Sequence, residues 1–346
     1  MSIARAAIWL GLVGAASAAT CPFNVPVVTL PPQQVGGYNW GPVIRPMNDA
    51  CVDHIAVEPT NASAWYVGGA KGLYMTKNAG QTWTHPLSGQ VRALLLVPGS
   101  PPLVYVGVMN KLYLSRDRGK IWTALHTFQF PVQSLLVANG TLWVGLAWST
   151  HAVPSGVFIS NLGAGQPVFH PFGPGQTGLI VWTLSRDPQS GTIYAGTEIF
   201  DHPQPYHPPF FRSTNGGVNW TNVAGILPTH VIASAVRPNN GLVYALTEGE
   251  SLYTSANQGN QWTPPANAFG PSNSLLMDPN QPTRLFGGRQ KTPAINGGIF
   301  VSTNSGQSFQ LIGREGVTIA GIAVNGASTR VYATAYGSGI YTSPIP

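Results

Sequence analysis

The densest chemistry in this chain lies between Glu198 and Phe210, which read Glu-Ile-Phe-Asp-His-Pro-Gln-Pro-Tyr-His-Pro-Pro-Phe. Two histidines, two acids and three aromatics stand there among prolines. Aromatic faces held in a stiff loop can stack on sugars or peptide side chains, which makes His202, Tyr206 and His207 candidate ligand contacts. A metal held by Asp201, His202 and His207 is a second reading, but two histidines five apart on a non-helical loop are poorly spaced for it. A proline-stiffened loop with a purely structural role is the third. Two smaller stretches have the same character: Ala147 to Pro154, with Trp148 and His151, and Arg289 to Asn296, with Arg289 and Lys291. The residues expected to contact a ligand are therefore Trp148, His151, His202, Tyr206, His207, Arg289 and Lys291. No metal and no cofactor is expected.

Glycoside hydrolysis needs two carboxylates facing each other across one bond. The chain has only 11 acids. Glu58, Asp187 and Asp278 belong to a recurring turn and Asp117 to a recurring hairpin, so their role reads as structural. Asp53, Glu198 and Asp201 are the candidates if the protein is an enzyme, and Glu248 and Glu250 fall on the same side. Nothing resembles a Gly-x-Ser-x-Gly elbow, a Cys/His dyad or a phosphate-binding loop.

The elements that must position these residues are announced by a repeated phrase: a hydroxyl residue, then Asn or Asp two on, Gly four on, and an aromatic seven on. It reads Thr76-x-Asn78-x-Gly80-x-x-Trp83, and returns from Ser115 to Trp122, Ser213 to Trp220, Ser255 to Trp262 and Ser302 to Phe309. A worn copy spans Ser160 to Phe169, and Ser343 opens a truncated one. A period of roughly 40–50 residues marks a repeat architecture. Within each phrase the Asn or Asp bonds backbone groups of a tight turn. Gly supplies positive φ, and the aromatic packs between sheets. Before each phrase come alternating runs such as Ile55 to Glu58 and Ala64 to Gly69, joined by a Pro/Asn turn. Short alternating strands between turn residues argue an all-β chain. Four strands per unit is the blade of a β-propeller.

Seven hydroxyl positions predict seven blades. The last unit stops after its third strand, and Tyr38 to Ile44 resembles the missing fourth. The N-terminal segment is thus expected to complete the final blade and remove an open sheet edge. Second-to-third-strand loops and blade-to-blade connections share one face, and the hairpin phrases occupy the other. The three loops with candidate residues lie on the first, where a rigid scaffold usually carries function.

The hairpins resemble Asp-box (BNR) repeats, mostly with Asn in place of Asp. The resemblance covers Tyr38 to Ser343 and implies the propeller superfamily that includes sialidases, xyloglucanases, sortilin-type receptors and a photosystem II assembly factor. It is most similar to the seven-bladed xyloglucanase group. That group's catalytic Asp sits in a loop that reads Gly69-Ala70-Lys71-Gly72 here, so the acid is missing. The arginine triad of sialidases is not evident among Arg45, Arg92, Arg237 and Arg289.

Composition bounds the rest. Charged residues make up 8% of the chain, and 41 glycines and 31 prolines suit many turns. The net charge is +6, but its Lys and Arg are scattered without a stripe, so no nucleic-acid partner is expected. Residues 1–18 read as a secretory signal: Arg5, an apolar run, then Ala16-Ser17-Ala18. The apolar run is too short for stable membrane insertion. Residues 19–34 read as a tail and 35–346 as one propeller. An exported chain with two cysteines is expected to pair Cys21 with Cys51. Asn61, Asn139 and Asn219 open N-x-Ser/Thr sequons. The expected function is a secreted, monomeric, non-catalytic propeller that binds a glycan or an extracellular protein through its loop-rich face. A glycoside hydrolase and a structural or assembly factor are the alternatives.

Overall fold

The computed structural model describes residues 31–42, 44–46, 49, 51–147, 156–162, 170–172, 179–199, 210–248, 252–264, 270 and 272–346. It is all-β, with no helix among the described residues. Seven antiparallel sheets follow one another along the chain as seven blades. Their innermost strands are Val52–Glu58, Val91–Val97, Val132–Ala138, Leu179–Arg186, Val231–Val236, Ser272–Met277 and Ile319–Val324. Each innermost strand touches the next, and Ile319–Val324 of blade 7 meets Val52–Glu58 of blade 1, so the ring is closed. The core is seven apolar clusters between and within neighbouring blades, not one central mass.

The innermost strands share a detail that shapes the central channel. In every blade the ladder to the second strand skips one residue near its start. The skipped residues are Asp53, Arg92, Gln133, Trp182, Ile232, Asn273 and Ala320. Each is a β-bulge, which leaves one residue unpaired and re-aims it. All seven lie near the start of the inner strand, towards the loop-rich face of the ring. Opposite the bulge, the second strand of five blades carries Gly68, Gly107, Gly145, Gly196 or Gly288. A Cβ at Gly68 would lie 2.5 Å from Val91, and one at Gly107 2.7 Å from Val132. At all five glycines a Cβ would collide with the residue just before the next blade's bulge, Val91, Val132, Val181, Val231 or Ile319.

The hairpin phrases have one geometry five times over. The Oγ of Ser115, Ser213, Ser255 and Ser302, like Oγ1 of Thr76, accepts the N–H of the phrase's Gly at 2.7–2.9 Å. The same hydroxyl donates to the Asn or Asp oxygen, as Thr76 does to Asn78 at 2.9 Å. That oxygen also accepts the backbone N–H four residues on, as from Thr82, Ile121, Asn219, Gln261 and Ser308. The left-handed residues are the two after the Asn or Asp, not that residue itself: Ala79 and Gly80, Arg118 and Gly119, Gly216 and Gly217, Gln258 and Gly259, Ser305 and Gly306. In four of the five pairs the side-chain bonds hold a non-glycine residue in that otherwise unfavourable region.

Each hairpin aromatic packs against the preceding blade. Trp83 joins the cluster of blades 7 and 1, Trp122 that of blades 1 and 2, and Trp220 that of blades 3 and 4. Trp262 and Phe309 do the same at the next two junctions. Trp262 is buried and the other four are half-buried. The recurring-turn acids are structural as expected. Asp278 accepts Arg284 Nε at 2.7 Å and Ser328 Oγ at 2.5 Å, Asp187 accepts Ser190 Oγ at 2.5 Å, and Glu58 accepts Arg118 Nε at 2.5 Å.

At the N-terminus, Gln33–Val35 and Tyr38–Trp40 form a small hairpin against blades 6 and 7. Gly41 N–H donates to Thr342 O at 3.1 Å, and Ile44 and Ile340 exchange backbone bonds of 2.8 Å. Trp40 is buried in the cluster of blades 6 and 7, and its indole donates to Ile312 O at 2.6 Å. Arg314 clamps this segment. Its guanidinium donates to Pro31 O at 2.8 Å and to Gly41 O, and it lies 4.0 Å from the Tyr341 ring centroid. Burial lowers the pKa of Arg314.

Candidate functional site

On the loop-rich face the described side chains converge between blades 4 and 5. Glu198 sits near the end of the second strand of blade 4, opposite Ile180 in the ladder. Its Oε2 accepts the indole N–H of Trp182, the bulged residue of that blade, at 2.9 Å. Trp182 stacks on His230, with centroids 6.1 Å apart and planes 18° from parallel. His230 precedes the inner strand of blade 5, and Glu248 follows that blade's second strand. The two are tied at the ladder's end by a 3.1 Å bond from Glu248 N–H to His230 O.

Two carboxylates therefore address one imidazole nitrogen. His230 Nε2 is 2.9 Å from Glu248 Oε2 and 3.7 Å from Glu198 Oε2. The nearer contact runs off the line of the ring N–H, so this buried nitrogen has no well-aligned hydrogen-bond partner. The Glu248 side chain is 43% exposed and that of Glu198 18%. The arrangement presents carboxylates, an indole and an imidazole on the loop-rich face. It can receive hydroxyl, ammonium or guanidinium donors.

Across the ring, Asp53 of blade 1 lies 2.7 Å from Nδ1 of buried His54. Arg92, the bulged residue of blade 2, donates to Gln133 Oε1, the bulged residue of blade 3, at 3.3 Å. Desolvation lowers the pKa of Arg92, and the charge of Asp53 acts the other way. Burial raises Tyr336, and Asp53 raises it further. Asn273, bulged in blade 6, donates to Ile319 O at 3.4 Å, while its buried Oδ1 has no partner. The mouth is thus polar along blades 1 to 3 and acidic and aromatic at blades 4 and 5.

The residues expected from the sequence divide three ways. Glu198 lies in the convergent cluster. Asp53 is at the mouth but three blades away, so the pair that the structure brings together is Glu198 with Glu248. Arg289 and Lys291 lie in blade 6. The Arg289 guanidinium stacks 4.0 Å above the Phe300 ring, and desolvation lowers its pKa. Lys291 is exposed, and its N–H is fixed by Thr318 Oγ1 at 3.0 Å. Trp148, His151, Asp201, His202, Tyr206 and His207 lie outside the described residues, as does Cys21, the expected partner of Cys51. Sequence reasoning missed Trp182 and His230. The only signal was their place at the start of an inner strand, beside the loop-rich face. Among the described residues no cluster of three or more His, Cys, Asp or Glu could hold a metal ion, and no helix is long and apolar enough to cross a membrane.

No protein-family model and no curated protein matches the chain. Solved structures share its fold. YCF48 bound to D1 peptide superposes with a TM-score of 0.60 at 13% identity, over 93% of this chain and 99% of that one. The GH74 xyloglucanase from Xanthomonas campestris gives 0.65 at 16% identity, over 88% of this chain but 53% of the enzyme. The extracellular domain of a putative hybrid two component system from B. thetaiotaomicron gives 0.64 at 17% identity, over 90% of this chain and 39% of that one. The chain thus spans about half or less of the last two. At these identities the likeness is one of fold.

Proposed function

We propose that this protein is an exported binding propeller that takes a protein or glycan partner at the mouth of its channel, with Trp182, Glu198, His230 and Glu248 as the recognition centre. The carrying observation is the convergence of two carboxylates on one buried imidazole nitrogen beside an indole. Such a site is a ready acceptor for a donor-rich group, either sugar hydroxyls or basic peptide side chains. Trp148, His151, His202, Tyr206, His207, Arg289 and Lys291 would extend it along the same face. The likeness to YCF48 bound to D1 peptide, which spans nearly the whole of both chains, supports a single propeller acting by binding.

A second reading is favoured by the same carboxylates. Glu198 and Glu248 put two acids at one locus, as a glycosidase needs, although this chain covers only 53% of the xyloglucanase-type neighbour. Three further readings belong to the proposal. The hairpins act as Asp-box repeats. Bonds from Gly41 and Ile44 to the last strand support completion of blade 7 by the N-terminal segment. Cys21 and Cys51 pair in the exported chain.

The test is a panel of immobilised polysaccharides and of extracellular proteins and basic peptides, scored for retention and for release of reducing ends. Retention without release, lost in Glu198→Gln and Glu248→Gln, supports the binding reading. Release of sugar abolished by either change establishes the hydrolase. Retention unchanged by both variants removes this cluster from the site.

A further inference from the structure

The sequence contains three N-x-Ser/Thr sequons, at Asn61, Asn139 and Asn219. The fold puts all three on one face. Asn61 opens the second strand of blade 1, directly after its first turn. Asn139 occupies the equivalent turn of blade 3, between Val132–Ala138 and Thr141–Leu146. Asn219 lies in the hairpin phrase of blade 4, just before Thr221–Asn222. Turns between first and second strands, and between third and fourth, share the hairpin face. The loop-rich face carries no sequon anywhere in the sequence.

All three asparagines are exposed. Asn61 Oδ1 accepts Ser63 N–H at 3.0 Å, a bond that does not use its amide nitrogen. Asn139 stands at a tight turn with φ 49°, and a Cβ placed on the neighbouring Gly140 would meet nothing within 4 Å. Asn219 is anchored through its backbone, its N–H donating to Asn215 Oδ1 at 2.8 Å, so its side chain is not needed by the hairpin. Asn61 also lines a cleft of about 620 Å³ between blades 1 and 2, with Lys77, Arg118 and Lys120 on its walls.

We infer that this protein is N-glycosylated at Asn61, Asn139 and Asn219, with every glycan on the hairpin face and the channel mouth left bare. The amide nitrogen of each asparagine attacks C1 of the sugar of a polyprenyl-diphosphate oligosaccharide. An N–C bond forms, the C–O bond to the diphosphate breaks, the diphosphate leaves and the amide nitrogen loses one proton. The glycan on Asn61 covers the cleft between blades 1 and 2. The inference requires export, which residues 1–18 predict, and does not depend on what binds the opposite face.

The full chain is secreted from a yeast behind a yeast leader, so the outcome is independent of residues 1–18. Intact mass is read before and after peptide N-glycosidase, and peptide mapping locates each Asn converted to Asp by release. Loss of three glycans, with conversion at all three positions, is expected, and Asn61→Gln, Asn139→Gln and Asn219→Gln each remove one. Mapping on the wild-type chain decides occupancy even where a variant fails to fold. A secreted chain with any of the three positions unmodified in every molecule overturns the inference.

Discussion

Trp182 and Glu198 are joined by a 2.9 Å hydrogen bond from the indole N–H to Oε2, one from a bulge and the other from the strand that pairs around it. The bond fixes the carboxylate at the channel mouth and leaves its other oxygen for a ligand. Glu198→Gln keeps an acceptor for the indole and removes the charge. It is expected to leave the melting temperature within about 4 °C and to weaken partner retention about tenfold or more. If sugar release is found, the same change is expected to cut kcat/KM at least about 100-fold. Thermal melts, binding titrations and reducing-end assays on one preparation check all three.

Trp122 and Trp262 occupy equivalent hairpin positions but differ in burial. Full truncation of a buried aromatic costs about 3–5 kcal/mol. Trp262→Ala should fall in that range. Trp122→Ala should cost less, about 2–3 kcal/mol, because its ring is only half-covered by blades 1 and 2. Urea denaturation of the two variants tests the ranking, and equal losses would contradict it.

Asp117 is the one acid among five hairpins that otherwise use asparagine. It accepts the N–H groups of Lys120 and Ile121 and the hydroxyl of Ser115. These bonds, led by Ile121, hold its pKa below the usual carboxylate value. The fold thus favours the ion. Its stabilisation is complete above the unfolded-state pKa of about 4 and is lost as pH falls through the lower folded value. Asp117→Asn keeps the acceptor and has nothing to titrate. It should leave stability at pH 7 nearly unchanged and flatten this hairpin's share of the acid limb. Denaturation midpoints at neutral and acid pH measure both effects.

Arg314 holds the N-terminal segment through backbone carbonyls. Hydrogen bonds to a charged group contribute about 1.5–3 kcal/mol each. Arg314→Ala should therefore loosen residues before Gly41 and speed their removal by protease several-fold, while the blades stay protected. Limited proteolysis followed by mass measurement of the fragments is the check.

Gln290→Asn would place a sequon with Thr292 on the loop-rich face. In a glycosylating host that added sugar should block partner retention, while native modification of the hairpin face leaves it intact. Retention before and after enzymatic deglycosylation of the variant decides the point.

The repeat was legible because the hairpin needs particular atoms at fixed spacing: a hydroxyl for the Gly N–H, a side-chain oxygen two on, and no Cβ four on. The acids Glu58, Asp187 and Asp278 could be set aside for the same reason, since the recurring turn accounted for them. The recognition cluster was only partly legible. Glu198 stood out as a rare acid in an expanded loop. His230 and Trp182 did not, because their meeting depends on two blades some fifty positions apart in sequence and on bulges that a continuous apolar run does not reveal. The positive φ expected at the phrase's Gly is present, but the residue before it shares that conformation, because the Asn or Asp oxygen must face the turn's N–H groups.

The seven bulges carry a consequence for how this protein can change. Asp53, Arg92, Gln133, Trp182, Ile232, Asn273 and Ala320 each stand outside the ladder pairing of their own strand. Replacing one leaves the register of its strand intact, so the ring tolerates change at these positions. Where two of them meet, as Arg92 meets Gln133 and Trp182 shares an apolar cluster with Ile232, the architecture favours change in pairs.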